Sequence, residues 1–229
     1  MVPTPPPTSV LGLFAGGIAP LAGGRDSAIL KTAVPAGVAF GRTGIVGDAQ
    51  ADRRLHGGPD QAVHHFPAEH YDALAAAYPH LAEVFAGGAI GENVSTRGLT
   101  EENVCLGDVF VVGGARLQVT RPRRPCGKID RRFATDGLAA HVAARGICGW
   151  YYRVLDPGIV RPGDTMELAT RANAPVSLAE FHATMRDPRP APGTLERLAT
   201  FEVLGRDWLN RLRDRLRWLA RHGRRDGAN

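Results

Sequence analysis

Cysteine is scarce in this 229-residue chain, with three residues, Cys105, Cys126 and Cys148. The odd count and the lack of any CxxC spacing argue against a disulfide framework or a cysteine-rich zinc site. A reducing cytoplasm is therefore the expected compartment. Several chemical signatures are also missing. There is no GxxxxGK[ST] phosphate loop, no GxGxxG after a strand, no GxSxG elbow and no HExxH pair. These absences count against a nucleotide hydrolase, a dehydrogenase, an esterase and a zinc protease. Long hydrophobic runs are lacking too. The nearest approach, Val10 to Leu21, is uncharged, but no Lys or Arg precedes it and Gly16, Gly17 and Pro20 interrupt it. It reads as a proline-rich leader followed by a strand, not as a signal peptide or membrane span. No internal repeat is present.

Glycine and proline are abundant, at 28 and 17 residues, which implies a body rich in turns rather than a helical bundle. Hydrophobic residues at 44% and charged residues at 22% are ordinary for a globular protein. The length suits one large domain, or a main domain with a small appendage. The formal net charge of +5 fits an anionic ligand such as a phosphate without singling one out.

Residues 1–8 are expected to be disordered. From 9 to 172, short apolar runs alternate with Gly, Pro and Asp. Val10–Phe14, Ala28–Val34, Ala62–Phe66, Val109–Val112, Leu117–Thr120, Trp150–Leu155 and Met166–Ala169 read as strands. A helix is predicted from Pro67 to Tyr78, stopped by Pro79, and another from Leu138 to Arg145, closed by Gly146. Many short strands with few helices predict an α+β fold with a β-barrel-like domain. The pattern changes at 173. Ser177 and Glu180 form a capping box. Three apolar stripes follow: Leu178, Phe181 and Met185, then Leu195, Leu198 and Ala199, then Leu204, Trp208, Leu212, Leu216 and Leu219. Residues 173–225 thus read as three short helices, the second of them broken by Gly205.

Four segments carry candidate chemistry. In TRPRRPCGKID, Thr120–Asp130, Cys126 is surrounded by Arg121, Arg123, Arg124, Lys128, Arg131 and Arg132. Nearby cations favour the thiolate, which is a nucleophile and a soft metal ligand, and the same cations can hold a phosphate. Pro122 and Pro125 stiffen the loop. An incidental cysteine in a basic surface loop is the competing reading. Cys105 and Cys148, beside apolar neighbours, read as inert core residues.

The second segment, Gly44–Phe66, packs Asp48, Gln50, Asp52, His56 and Asp60 into a glycine-rich loop, where backbone N–H groups can approach a ligand. His56 could bind or move a proton, or be structural. His64 and His65 are adjacent on a predicted strand, so they point to opposite faces and do not chelate together. In the third segment, Gly88–Leu99, Asn93 offers a donor and an acceptor. In the fourth, Ser27–Lys31, a strand would put Ile29 and Lys31 on one face, with Lys31 facing either a cleft or solvent.

In this order, GDAQADRRLHGGPDQAVHHFPAEHY, GAIGENVSTRGLTEENVCLGD and PRRPCGK resemble the MOSC domain proteins of the YiiM type, as do SAILK and the capped tail. The resemblance spans about Ser27–Asp164 and Pro175–Gly223. It implies a β-barrel-like domain with a three-helix C-terminal domain, and binding of the molybdenum cofactor (molybdopterin), with Cys126 completing the metal's coordination. It also implies reduction of N-hydroxylated compounds such as 6-hydroxylaminopurine, electrons from a separate reductase, and a homodimer. Pyridoxal phosphate is not required. Arg123, Lys128, Lys31 and Arg25 would neutralise the cofactor's phosphate or line the pterin's surroundings. His56, Asp60 and Asn93 would orient the pterin or relay a proton. One departure is visible: the family commonly has Gln where Arg121 stands, and a cation there could tighten phosphate binding or shift substrate choice.

Two other functional classes compete. Cys126 could carry sulfur as a persulfide, or pass on the cofactor without turnover, although the chain has no desulfurase-like segment. The eight arginines between Arg206 and Arg225, against Asp207 and Asp214, could contact nucleic acid, but a solvated helix face is the simpler account. A membrane partner is not expected.

Overall fold

The computed structural model describes residues 1–24, 26–51 and 57–222. Seven strands form its frame: β1 Thr8–Ala15, β2 Val63–His65, β3 Val94–Thr96, β4 Val109–Val112, β5 Ala115–Pro122, β6 Trp150–Asp156 and β7 Thr165–Thr170. They are hydrogen-bonded in the order β7-β4-β5-β6-β2-β3-β1, and β1 pairs with β7 to close the ring. Closure pairs Thr8 with Met166 and Ser9 with Thr165. Every pairing is antiparallel except β2 with β3, which is parallel through His65 and Val94. Alternation puts Leu117, Val119, Tyr152 and Val154 inside, all buried.

The helices match the sequence signals closely. They are α1 Glu69–Ala77, α2 Lys128–Phe133, α3 Leu138–Arg145, α4 Leu178–Arg186, α5 Pro192–Ala199 and α6 Gly205–His222. Gly146 ends α3 in the left-handed conformation at φ 71°, as its position suggested. Helix α2 has no apolar stripe long enough to be read from sequence.

Three expectations need correction. The run Ala28–Val34 is not a strand; only Thr32–Ala33 pairs, with β1. Residues 1–8 are not a detached leader, because Pro5 is buried and Arg171 donates to the Pro3 carbonyl (2.9 Å). Gly205 does not break a helix; it opens α6.

The C-terminal helices share one hydrophobic core with the barrel. Phe181, Leu198, Leu204, Trp208 and Leu212 belong to the same buried cluster as Leu117 and Val119. The Phe181 and Trp208 rings meet edge to face at 4.9 Å. Ser177 caps α4 by accepting the Glu180 N–H (3.0 Å). The reciprocal half of the capping box is not made, since Glu180 pairs with Arg197 of α5 instead. Among the described residues, no helix is long and apolar enough to cross a membrane.

Candidate active site

One cleft collects most of the sequence's candidates. Its lining includes Lys31, Asp48, Asn93, Arg123, Cys126 and Lys128. Its empty volume is about 680 Å³, counted to the open mouth. Strand β5 delivers the basic loop: it ends at Pro122, and the Arg123 N–H is fixed on the Gly149 carbonyl (3.0 Å). The loop then turns through Cys126, whose carbonyl accepts the Ile129 N–H at the start of α2 (3.0 Å). Cys126 is half-buried, whereas Cys105 and Cys148 are buried. Burial pushes both of those thiols up to about 12, so they stay protonated and inert.

The opposite wall is a closed polar network around Asp48. One carboxylate oxygen accepts the Gly16 N–H (3.0 Å). The other accepts from Lys31 Nζ (2.5 Å) and Asn93 Nδ2 (2.8 Å). Burial lowers the Lys31 pKa, and Asp48 opposes that fall. Asn93 is clamped on all sides. Its Oδ1 accepts the His64 N–H (2.9 Å), its own N–H donates to the His64 carbonyl (2.7 Å), and Nδ2 also donates to the Phe14 carbonyl (3.1 Å). It shapes the cleft, and its amide is already fully used.

Arg123 is left over, as is the His64 ring at Nε2. Arg123 is buried, yet its Nη1 has no hydrogen-bond partner among the described residues. A buried donor without a partner costs roughly 1–3 kcal/mol. The guanidinium lies beside the Tyr151 hydroxyl, whose pKa is raised by burial and pulled back by Arg123. The same cation, after burial itself, lowers the pKa of His64, with Lys31 adding to the effect. His64 is thus a neutral imidazole in the cleft wall.

Asp60, expected to orient the pterin or relay a proton, stands outside the cleft lining. It lies in a short 3-10 turn, Pro59–Gln61. Its carboxylate is held by Arg153 Nε (2.9 Å) and Nη2 (2.5 Å), with Arg121 at 3.5 Å. Arg121 is also absent from the cleft: its guanidinium turns to Asp207 of α6. The cation expected to tighten phosphate binding or shift substrate choice is thus engaged by carboxylates beside the cleft lining, on the same sheet face as Tyr151. His56 and Arg25 lie outside the described residues. Residue types alone did not mark Tyr151, Gln61 or His64 as cleft residues. For His64 a signal existed: on β2 it must face opposite to His65, which is stacked on Trp150 at 4.4 Å.

A molybdenum cofactor requires a soft ligand and cover for an anionic phosphate. The residues present fit both demands. Cys126 supplies the sulfur, while Arg123, Arg124 and Lys128 supply cationic donors, Arg123 with an unmatched buried nitrogen. The carboxylate on the wall, Asp48, is already neutralised by Lys31. Among the described residues, no cluster of three or more His, Cys, Asp or Glu could hold a metal unaided.

Comparison with known proteins gives a consistent picture. The MOSC domain matches residues 52–167. Protein YiiM of Escherichia coli strain K12 is 41% identical over 161 residues, covering 70% of this chain and 72% of that protein. A Gibberella moniliformis protein named Reductase is 37% identical over 172 residues, covering 74% of this chain but only 30% of that protein. The crystal structure of YiiM from Geobacillus stearothermophilus superposes with a TM-score of 0.78 at 29% identity, covering 92% of this chain and all of that one.

Proposed function

Because the chain belongs to the MOSC domain family, of the YiiM type, and so has a molybdenum cofactor-associated function, we propose that it is a molybdenum-dependent reductase of N-hydroxylated compounds, with Cys126 as the metal's thiolate ligand. The observation that carries this reading is the joint placement of a half-exposed thiol and an unpartnered buried guanidinium nitrogen on one cleft. The overall reaction takes R–NHOH, two electrons and two protons to R–NH2 and water. When bound, the cofactor supplies the electron pair.

The chain's own residues do the rest. Arg123 and Lys128 hold the anionic end of the ligand. The Lys31–Asp48 pair keeps one wall of the cleft electrically balanced, so the cations across from it are not cancelled by a free carboxylate. Neutral His64 offers a hydrogen-bonding ring on the same wall without adding charge. Electrons come from a separate reductase. A homodimer in the cytoplasm is the proposed setting.

The test is molybdenum and pterin analysis of protein from a cofactor-competent host, with 6-hydroxylaminopurine reduction by an artificial electron donor. Wild type should carry metal and turn over, and Cys126→Ser should lose both. Full loading and activity in the serine variant would overturn the assignment. A Cys126 persulfide without molybdenum, seen by mass spectrometry, would replace it with the carrier reading.

A further inference from the structure

Arg121 stands two residues before Arg123 and opposite Tyr151 in the β5–β6 pairing. Tyr151 lines the cleft. Arg121 is buried, and its guanidinium reaches out of the barrel to two carboxylates: Nη1 donates to Asp207 of α6 (2.6 Å), and Nη2 lies 3.5 Å from Asp60. Asp60 is tied in turn to Arg153 of β6, and its carbonyl accepts from the Thr120 hydroxyl (2.7 Å). The network therefore joins the tail helix to the last rungs of β5, where the strand becomes the Cys126 loop. The approach is close, and the positive φ at the contact favours glycine. Gly205, at φ 76°, sits against the guanidinium, and any Cβ there would collide with Arg121 Nη2.

We infer that Arg121 is a positioning residue, an electrostatic latch through which α6 sets where the Cys126 sulfur stands. A register shift lies between Val119 and Arg121, and such a bulge re-aims the strand beyond it. Beyond it the ladder continues for two rungs, Arg121 with Tyr151 and Pro122 with Trp150, so the short strand end gains from a second anchor. Here the fixing charge comes from the C-terminal helices. An arginine suits the task because its fork can engage two carboxylates at once, which lysine's single ammonium does less well. The inference rests on reading Cys126 as the working group, but it does not require a bound metal.

The test uses the full-length protein made without cofactor, so that its outcome is separate from that of the metal assignment. The rate of Cys126 alkylation by iodoacetamide is measured for wild type, Arg121→Gln and Asp207→Asn, with thermal unfolding followed alongside. A freed loop should react about two- to fivefold faster, the range expected for losing a partly exposed ion pair. Asp207 is 54% exposed, so salt should screen its pairing. The ratio of the Asp207→Asn rate to the wild-type rate should then shrink towards one in 1 M sodium chloride. A tail that merely packs would give a ratio insensitive to salt. Unchanged rates at low salt, or a ratio that salt does not shrink, would overturn the latch. Should Arg121→Gln fail to fold, Asp207→Asn decides alone, since its change lies on the exposed partner.

Discussion

Lys31 Nζ lies 2.5 Å from Asp48 Oδ2, and both side chains are almost wholly shielded from water. Removing one partner strands a buried charge, which typically costs about 3–5 kcal/mol. Asp48→Ala should therefore be strongly destabilised near neutral pH. The Lys31 pKa is already lowered by burial, and losing Asp48 removes its main support. With a folded pKa below the unfolded value, the native state sheds its proton first as pH rises, so stability rises with pH over that window. Urea unfolding of the variant at pH 7 and pH 9.5 should show partial recovery at the higher value.

Acid should weaken the barrel through its histidines. His65 is held between Tyr152 Oη (3.1 Å) and Thr96 Oγ1 (3.0 Å), and burial lowers its pKa to about 3. The folded state stays neutral at that position while the unfolded chain takes up a proton below its ordinary value of 6.5. Stability is thus complete above that value and falls as pH drops from it towards 3. The slope approaches roughly 1.4 kcal/mol per pH unit for this one histidine. His64 adds to it, because its pKa is lowered in the same direction. His65→Gln should flatten the dependence, as followed by thermal midpoints between pH 4 and pH 7.

Gly149→Ala should disable the site at the backbone. Gly149 has φ 68°, and an added Cβ would collide with the His65 carbonyl. Its N–H donates to Glu101 (2.7 Å) and its carbonyl holds the Arg123 N–H (3.0 Å). The left-handed conformation alone costs a non-glycine residue roughly 1–2 kcal/mol, and the collision adds to that. Calorimetry should show a clear loss of stability. Native-state hydrogen exchange should be faster at Arg123 than in wild type.

The tail should not be separable from the barrel. Phe181 is fully buried within the common core, and removing such a ring costs about 3–5 kcal/mol. Phe181→Ala should lower the stability of the whole chain in one transition. Truncation after Ala172 removes Val176, Leu178 and Phe181, so it should leave their barrel partners uncovered and yield aggregated protein in size-exclusion chromatography.

Thiol labelling should be selective. At pH 8, iodoacetamide should modify Cys126 alone in the folded chain, since Cys105 and Cys148 are buried and have thiols pushed up to about 12. Peptide mapping checks the prediction. Labelling of either buried cysteine without unfolding would contradict the structure.

Much of this architecture can be read from local pattern. Leu138–Arg145 ends where Gly146 permits a left-handed turn, and Val109–Val112 keeps its strand limits, because both signals are contained in neighbouring residues. The Cys126 loop is legible for the same reason: its charges and prolines are contiguous. What escapes the sequence is direction across long separations. Asp60 and Lys31 both sit in ligand-like settings, yet one turns out to Arg153 and the other in to Asp48. Arg121 and Arg123 are two residues apart, which a continuing strand would put on one face; β5 ends between them, and the Asp207 contact holds the first while the second lines the cleft. Ala28–Val34 has strand composition, but only its Thr32–Ala33 segment finds a pairing partner, on β1.

Closure of the ring through Thr8 with Met166 orders events during synthesis. β1 leaves the ribosome before the other six strands of the ring, whereas its ladder partner β7 is the last of them to emerge. Until Met166 emerges, the Thr8–Ser9 end of that edge of β1 has unsatisfied peptide groups to offer. Such distant pairings slow folding and leave an open template for misassociation. The Thr8–Ser9 end of β1 is therefore a place where the nascent chain gains from a chaperone's cover.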